Sequence, residues 1–149
     1  MNLIELANRM TSLADSLPAI ANDIAKAYVA ELAADLADAT PVDTSTALSN
    51  WQVSINTPAR DFIDAHNYGA FGSTAFVSIM DTYQLAKIAA EPGTPGQSYW
   101  LSNNAPYIID LNQGTSQQAP AMFIEKTIAL SIKKIQPIAK RVINDYRKR

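Results

Sequence analysis

Large apolar side chains recur every three or four residues near both ends of the chain, and this spacing predicts a helix at each end. The first helix is predicted over residues 2–39, and its apolar stripe consists of Leu3, Met10, Leu13, Leu17, Ile20, Ile24, Tyr28, Leu32 and Leu36. Pro18 lies within this stripe, so the helix either kinks there or restarts with Ser16 as its cap. Pro41 should end the helix near Ala39, because a proline disfavours helical geometry in the preceding residue.

The predicted closing helix follows Pro120 and runs toward residue 149. Its stripe consists of Ile124, Ile128, Ile132, Ile135, Ile138, Val142 and Tyr146. Pro137 should kink this helix, since it has no N–H to donate to the preceding turn.

Shorter elements are predicted between these helices. Residues 50–56 alternate polar and apolar side chains, which predicts a strand with Trp51, Val53 and Ile55 on one face. Residues 97–103 form a second strand candidate, and residues 107–112 a third strand or extended segment. A middle helix is predicted over residues 76–90. Its stripe consists of Phe76, Ile79, Met80, Tyr83, Ala86, Lys87 and Ala90.

These elements predict an α+β fold: a small, mostly antiparallel sheet flanked by a long N-terminal helix, a middle helix and a long C-terminal helix. We expect one domain over residues 1–149. Residues 1–39 form its first helix, residues 40–119 the sheet with an inserted loop and helix, and residues 120–149 its last helix.

Composition excludes several classes of protein. Hydrophobic residues make up 48% of the chain and charged residues 17%, which argues against intrinsic disorder. There is no cysteine and only one histidine, so disulfide scaffolds, thiolate zinc sites and histidine-based metal cages are excluded. No apolar run approaches the roughly 18 residues of a membrane span, and the N-terminus lacks the pattern of a secretory signal. We therefore expect no membrane association.

Charge is distributed unevenly along the chain. Residues 1–43 carry a net charge of −5, residues 44–124 carry −3, and residues 125–149 carry +6. One interpretation, which we favour, is that the first and last helices lie near each other or near each other's copies. The other is that the basic end touches nucleic acid.

Motifs for catalysis are scarce. The chain contains no Gly-x-Ser-x-Gly nucleophile motif, no P-loop and no dinucleotide-binding glycine pattern. Asp61, Asp64 and His66 could form a metal or acid–base cluster, but they lie in a segment rich in turn residues, and a purely structural role is favoured. We therefore predict that the chain is not an enzyme and holds no cofactor or metal.

Five aromatic residues could stack single-stranded nucleic acid: Trp51, Tyr99, Trp100, Tyr107 and Phe123. Such a platform needs interleaved basic residues, and residues 97–124 contain no lysine or arginine. Packing of these aromatics between sheet and helices is therefore the favoured interpretation.

Three segments in order are more informative than any single motif. They read ATPVDTSTALSNWQVS over residues 39–54, YWLSNNAPYI continuing to LNQGTS over residues 99–116, and QAPAMFI over residues 118–124. This order resembles the neck and tail-completion proteins of tailed bacteriophages. Those proteins carry a helix, then TPVDTG…S-W, then SNN-x-PY…L-x-x-G-x-S-x-QAP before a closing helix. The resemblance covers roughly residues 20–130. Ser45 stands where the family usually has glycine, and Ala47-Leu48 replaces a more usual basic residue.

The motif residues are expected to act as scaffold or interface residues. They are Pro41, Asp43, Thr44, Trp51, Asn103, Asn104, Pro106, Tyr107, Gly114, Pro120 and Phe123. Asp43 or Thr44 can cap backbone donors where the chain enters the sheet, and Trp51 can anchor the first strand. The two asparagines suit a tight turn, while Pro106 fixes the exit from it and Tyr107 supplies an amphipathic contact. Gly114 allows the chain to turn towards Pro120, which fits the first position of the last helix.

The resemblance implies a structural virion protein that forms a homo-oligomeric ring, expected to be a hexamer, at the head–tail junction. Its implied partners are copies of itself, the head connector or adaptor proteins and the tail tube proteins, with genomic DNA passing through the lumen without sequence-specific binding. The implied location is the neck of the virion, and the host cytoplasm during assembly. Two alternatives remain from the residues themselves: a small metal-dependent hydrolase using Asp61, Asp64 and His66, and a nucleic-acid-binding module using the basic last helix.

Overall fold

Helix α1 (Leu3–Ala39) is the longest element of the computed structural model, which describes all 149 residues. Asn2 begins it with a capping box: its side-chain oxygen accepts from the Glu5 backbone N–H at 2.8 Å, and its own N–H donates to the Glu5 carboxylate at 3.0 Å. The helix ends at Ala39, as predicted. It also continues across Pro18, so the predicted alternative of a restart capped by Ser16 is wrong.

The reason lies in the backbone geometry of proline. Its φ is already helical, so Pro18 costs α1 one backbone hydrogen bond without forcing it to end. Ser16 instead donates its hydroxyl back to the Ser12 carbonyl at 2.8 Å.

The sheet has two antiparallel strands, β1 (Trp51–Ile55) and β2 (Tyr99–Asn103). Trp51 lies opposite Asn103 and Ile55 opposite Tyr99. Both strands were predicted, and Trp51 and Val53 are buried on the expected face. A single helical turn, α2 (Thr46–Ser49), leads into β1. The α+β class is therefore confirmed.

The predicted third strand at residues 107–112 is wrong, because this segment forms a short helix, α4 (Ile108–Asn112). Its bonds are local: the Leu111 N–H donates to the Tyr107 carbonyl at 3.0 Å. Ile108 and Leu111 are three residues apart, so one helical turn points both at the core. A short apolar run fits a strand and a buried helical turn equally well.

The middle helix, α3 (Ala75–Ala90), begins one residue before the predicted start, and its buried face shares Ala86 and Ala90 with the predicted stripe. Its buried residues, four apart, are Ser78, Thr82, Ala86 and Ala90. Phe76 and Met80, two other residues of that stripe, are 76% and 43% exposed. Small side chains let α3 approach α1 closely, and the Thr82 hydroxyl is satisfied by the Ser78 carbonyl at 2.9 Å.

Two helices replace the predicted single C-terminal helix: α5 (Phe123–Ser131) and α6 (Ile135–Arg147), joined by one 3₁₀ turn at Ile132–Lys134. The turn lies just before Pro137, which has no N–H for the carbonyl four residues earlier. The expectation that Pro120 opens the last helix is wrong. Met122 has a φ of 61°, which separates Pro120 from the helix that begins at Phe123.

Helix α6 packs antiparallel on α1 through opposite charges. Lys134 Nζ lies 2.6 Å from an Asp35 oxygen, and an Arg141 nitrogen lies 3.5 Å from the Glu31 carboxylate. The Tyr146 hydroxyl lies 2.7 Å from an Asp23 oxygen, nearer the start of α1. The favoured interpretation of the charge asymmetry is therefore confirmed within one chain.

The core has two main parts, and the same face of β1 contributes Trp51 to one of them and Val53 to the other. One surrounds Leu36, Leu48, Trp51 and Phe123; the other joins Val53 to the small residues of α1 and α3. None of the helices combines the length and the apolar character that crossing a membrane requires.

Candidate functional site

The three motif segments meet at one end of the sheet, where they enclose an open groove of about 260 Å³. Residues 41–47 line it together with Tyr107, Leu111, Ser116 and Gln118. We call this region the motif corner. All three segments contribute to it, although more than 60 residues separate the first from the third in the chain.

Gln118 joins the third segment to the first. Its side-chain oxygen accepts from the Val42 N–H at 2.8 Å, and its side-chain nitrogen donates to the Val42 carbonyl at 3.0 Å. One side chain thus satisfies both backbone polar groups of Val42, as a neighbouring strand would.

Replacing Gln118 with alanine should therefore loosen residues 40–44 while leaving the fold intact. Because the bonds are exposed, we expect a loss of about 1 kcal/mol in the free energy of unfolding. The Val42 amide should exchange with deuterium faster. Gln118→Glu keeps the acceptor for the Val42 N–H but not the donor to the Val42 carbonyl. The Val42 amide of this variant should therefore exchange at a rate between those of the native chain and of Gln118→Ala. Unchanged protection of Val42 in Gln118→Ala would contradict this account of the corner.

Asp43 tethers a distant turn to the corner. Its side chain accepts from the Phe71 N–H at 2.9 Å, and its carbonyl accepts from the Gly72 N–H at 2.8 Å. The donors that it satisfies thus belong to residues 70–72. They do not lie at the entry to the sheet, where the sequence analysis expected them. The neighbouring Thr44 hydroxyl pairs with that of Thr46 at 2.9 Å.

Ser45 occupies the left-handed region, with a φ of 69°. This is the position at which the resembled family usually has glycine, which adopts that geometry without strain. Here the serine hydroxyl pairs with that of Thr74 at 2.9 Å, and the Ser45 carbonyl accepts from the Ser49 hydroxyl. Ala47 and Leu48, two and three residues further along, are 6% and 0% exposed, so a basic residue there would bury its charge in this chain.

Trp51 holds the end of α1 against the sheet. Its indole N–H donates to the Thr40 hydroxyl at 2.9 Å, and that hydroxyl donates to the Leu36 carbonyl at 2.6 Å. The indole is also 7% exposed and packs in the core around Leu36 and Phe123.

The asparagine pair at the end of β2 fixes two further loops. Asn103 donates to the Ala47 carbonyl at 2.8 Å and accepts from the Ala105 N–H at 3.0 Å. Asn104 donates to the carbonyls of Ala59 and Asp61. Both carboxamides therefore cross-link loops. The tight left-handed turn expected at these asparagines is wrong, because Asn103 ends β2 and neither residue has a positive φ. Pro106 and Tyr107 follow on the surface, and the Tyr107 side chain reaches the groove.

Gly114 and Asn112 connect the second segment to α5. Gly114 has a φ of 93°, and a Cβ there would lie 3.1 Å from that of Ala121. The Asn112 side-chain oxygen accepts from the Ile124 N–H at 3.0 Å, while its nitrogen donates to the Glu125 carboxylate at 2.9 Å. This donation lowers the pKa of the Glu125 carboxyl below its usual value.

Sequence reasoning missed three of the amides that organise this region: Asn50, Asn112 and Gln118. Each has a position that could have drawn attention to it. Asn50 directly precedes a buried tryptophan, Asn112 ends an apolar run, and Gln118 belongs to the Gln-Ala-Pro motif.

Asp61, Asp64 and His66 lie in the loop between β1 and α3, but nowhere in the chain do three histidine or acidic side chains converge to hold a metal ion. The backbone N–H of His66 donates to the Ser49 hydroxyl at 3.0 Å. His66 also lines an apolar cavity of about 280 Å³ with Ile63 and Leu85. Burial lowers the pKa of the imidazole from its ordinary 6.5, against an opposing effect of Asp81.

This shift predicts a pH dependence of stability. The unfolded chain binds a proton at His66 more readily than the folded chain, so stability should fall as pH drops through about 6.5 toward the lower folded pKa. His66→Gln should remove that part of the dependence. Urea midpoints of both proteins, measured between pH 7.5 and 5.5, check this. Parallel curves for the two proteins would contradict it.

The five aromatics considered for nucleic-acid stacking do not form one exposed surface. Trp51 and Phe123 are buried in the same core cluster, as the packing interpretation expected. The Tyr99 hydroxyl donates to the Asn22 side chain of α1 at 2.6 Å. Trp100 is 45% exposed and Tyr107 40% exposed.

Comparison with known proteins gave no match to a family model, to a curated protein or to a solved structure.

Proposed function

We propose that the chain is a structural protein of a tailed-bacteriophage virion. It forms a ring at the head–tail junction that joins the DNA-filled head to the tail. The proposal rests on the sequence resemblance. The observation that carries it further is the motif corner, where the resembling segments bind one another, above all through the two bonds between Gln118 and Val42. Motif residues that also bond one another support a family resemblance more strongly than motif residues that lie apart in the structure.

The bonding at the corner supports a non-enzymatic role. The polar side chains of Gln118, Asp43 and Asn103 are engaged with backbone groups, at 2.8–3.0 Å. Side chains that are hydrogen-bonded to the backbone in this way hold loops in place, whereas acid–base chemistry needs a titratable group within reach of a substrate. Shape and loop placement are what a building block of an assembly requires.

Exposed apolar residues on α3 support contacts between copies or with other neck proteins. Phe76 and Ile88 are 76% and 67% exposed, and Val77 and Met80 lie beside Phe76. Contiguous exposed apolar surface commonly marks a protein interface. A ring needs one such surface to meet a different surface on the next copy, because rotation then closes the assembly. The hexameric number comes from the resemblance.

The basic surface supports a place beside DNA. Lys133, Lys140 and the three basic residues at 147–149 are exposed on α6 and the adjoining turn and C-terminus, while Lys134 and Arg141 are paired with α1. Such a surface attracts phosphates without reading a sequence. This matches a lumen through which the genome passes.

A nonsense mutation in the gene of this chain tests the proposal in its own phage. We expect filled heads and separate tails in electron micrographs of the lysate, and recovery of joined particles when the wild-type chain is supplied in trans. Joined, infectious particles that lack the chain would overturn the proposal.

Substitution of the single histidine separates this proposal from the hydrolase alternative. The proposal expects His66→Ala to assemble and to complement the mutant phage. A folded His66→Ala protein that forms rings but fails to complement would favour chemistry at that loop.

A further inference from the structure

The connection between β1 and α3, residues 56–74, displays one aromatic side chain almost completely to solvent. Phe71 lies in a 3₁₀ turn at Ala70–Gly72 and is 96% exposed, more than any other large hydrophobic residue of the chain. Its φ of 57° lies in the left-handed region, which is strained for a residue with a bulky side chain. Because the phenyl group buries almost no surface within the chain, packing of a single copy does not account for a phenylalanine at this position.

The motif corner holds this turn in place. The Asp43 side chain accepts from the Phe71 N–H at 2.9 Å, and the Asp43 carbonyl accepts from the Gly72 N–H at 2.8 Å. A strained residue persists where its surroundings fix it, and such residues concentrate at functional sites. A fixed backbone also lowers the entropy that is lost when a side chain binds, so the turn presents Phe71 as a preorganised anchor.

A cavity that fits such an anchor lies between β1 and the second half of α3. Its volume is about 280 Å³, whereas an apolar cavity of about 150 Å³ is enough to hold benzene. Of its lining residues, Leu85 and Ile88 are 49% and 67% exposed, so the cavity opens to solvent beside them. His66 is its only titratable lining residue, and burial lowers the pKa of the imidazole, which is therefore uncharged at neutral pH. The cavity thus accepts a phenyl ring without burying a charge.

Phe71 does not fill the cavity of its own chain, since its side chain is 96% exposed. Phe71 precedes Ala75, the first residue of α3, and the helix rises about 15 Å between Ala75 and Leu85. The anchor and the cavity are therefore two different surfaces of one copy. Two different surfaces that fit each other are what a contact repeated by rotation requires.

We infer that Phe71 of one copy inserts into the cavity between α3 and β1 of the next copy. A second copy is the occupant because the chain itself carries both halves of the contact, the preorganised phenyl group and the uncharged apolar cavity. The inference deepens the proposed function and rests on it in one respect: a closed ring needs the same contact to repeat from each copy to the next.

Phe71→Gly separates this role from a role in folding. Glycine adopts a positive φ without strain, so the urea midpoint of the variant should equal or exceed that of the native chain. Sedimentation velocity should nevertheless show association between copies weakened by roughly tenfold or more, as expected for the loss of a central anchor. Tyr68→Ala is the matched control, since Tyr68 lies in the same connection and is 76% exposed, and it should leave association unchanged. Native association of Phe71→Gly, or equal losses in the two variants, would overturn the inference.

Leu85→Glu blocks the other half of the contact. Leu85 is half-exposed, so the new carboxylate stays hydrated in the free chain, but an inserted phenyl group would bury it. This variant alone should also fail to form rings. In an equal mixture with Phe71→Gly, the intact Phe71 of one variant meets the intact cavity of the other, so the mixture should form dimers that grow no further. A mixture that stays monomeric well above the concentration at which native rings form would overturn the inference.

Complementation of the nonsense-mutant phage distinguishes the two proposals. If the native chain restores joined particles and Phe71→Gly restores them equally well, the inference is overturned and the proposed function stands. Joined particles without any copy of the chain would overturn the proposed function, and the mixing experiment would still decide the contact between copies. A native chain that forms no assembly in solution or in virions would overturn both.

Discussion

Trp51→Ala should lower the free energy of unfolding by about 3–5 kcal/mol, the cost typical of deleting a buried large aromatic side chain. The indole is 7% exposed and contacts the core cluster of Leu36 and Phe123. Its loss removes a hydrogen bond to Thr40 as well. The end of α1 and the start of β1 would then share no anchor, so we expect the motif corner to loosen together with the core. Urea unfolding monitored by circular dichroism measures the change.

Trp100 provides a matched control on the neighbouring strand. The Trp100 side chain is 45% exposed, and Trp100 lies opposite Ser54 in the sheet. Trp100→Ala should therefore cost about 2 kcal/mol, less than Trp51→Ala, since nearly half of the removed surface is in water already. Equal losses for the two tryptophans would show that Trp51 does not anchor the corner.

Asn50→Ala should cost about 2–4 kcal/mol, although it removes only a small polar side chain. Asn50 is fully buried, and its amide donates to the Thr46 and Ile63 carbonyls, both at 2.8 Å. It also accepts from the Ile63 N–H at 3.0 Å. Alanine leaves these backbone groups without partners, and each such group carries a desolvation penalty of about 1–3 kcal/mol.

The loop that holds His66 should open in the same variant, because Asn50 makes two of the hydrogen bonds that join this loop to the end of α2. Limited proteolysis should cut residues 57–68 of Asn50→Ala faster than those of the native chain. Asn104→Ala is the control: it removes bonds to Ala59 and Asp61 that water can replace, so the loss should be about 1 kcal/mol. A stable Asn50→Ala protein with a protected loop would contradict this role.

The local pattern of apolar and polar residues was sufficient to predict the elements whose periodicity is unambiguous. The alternation from Trp51 to Ile55 indicates a strand, because successive side chains of a strand point to opposite faces and a half-buried strand therefore alternates apolar and polar residues. The spacing over residues 2–39 indicates α1, because nine apolar positions follow the helical period and only one proline interrupts it. Residues 107–112 are too short for period alone to decide between strand and helix, and the structure forms α4 there.

Hydrophobicity alone does not predict which residues of α3 are buried. Its core face carries Ser78 and Thr82, whose hydroxyls bond nearby carbonyls. Phe76 faces outward on the same helix. This inversion is informative about function, because it leaves large apolar side chains on the surface where partner molecules can reach them.

The motif corner depends on contacts that no local rule provides. Gln118 and Val42 are 76 residues apart, and Asn112 bonds residues in the next helix. The sequence order of the three segments predicts a shared role, but their meeting point emerges only from the packing of α1, the sheet and α5. The same packing explains why Ser45 can stand at a left-handed position: its buried hydroxyl has a partner in Thr74.

A reconstruction of the intact phage particle tests the central claim most directly. The account predicts a closed ring of this chain between the head connector and the tail tube, around the axis along which the DNA runs. Particles whose junction is complete without density for this chain, with the protein remaining free in the lysate, would contradict it.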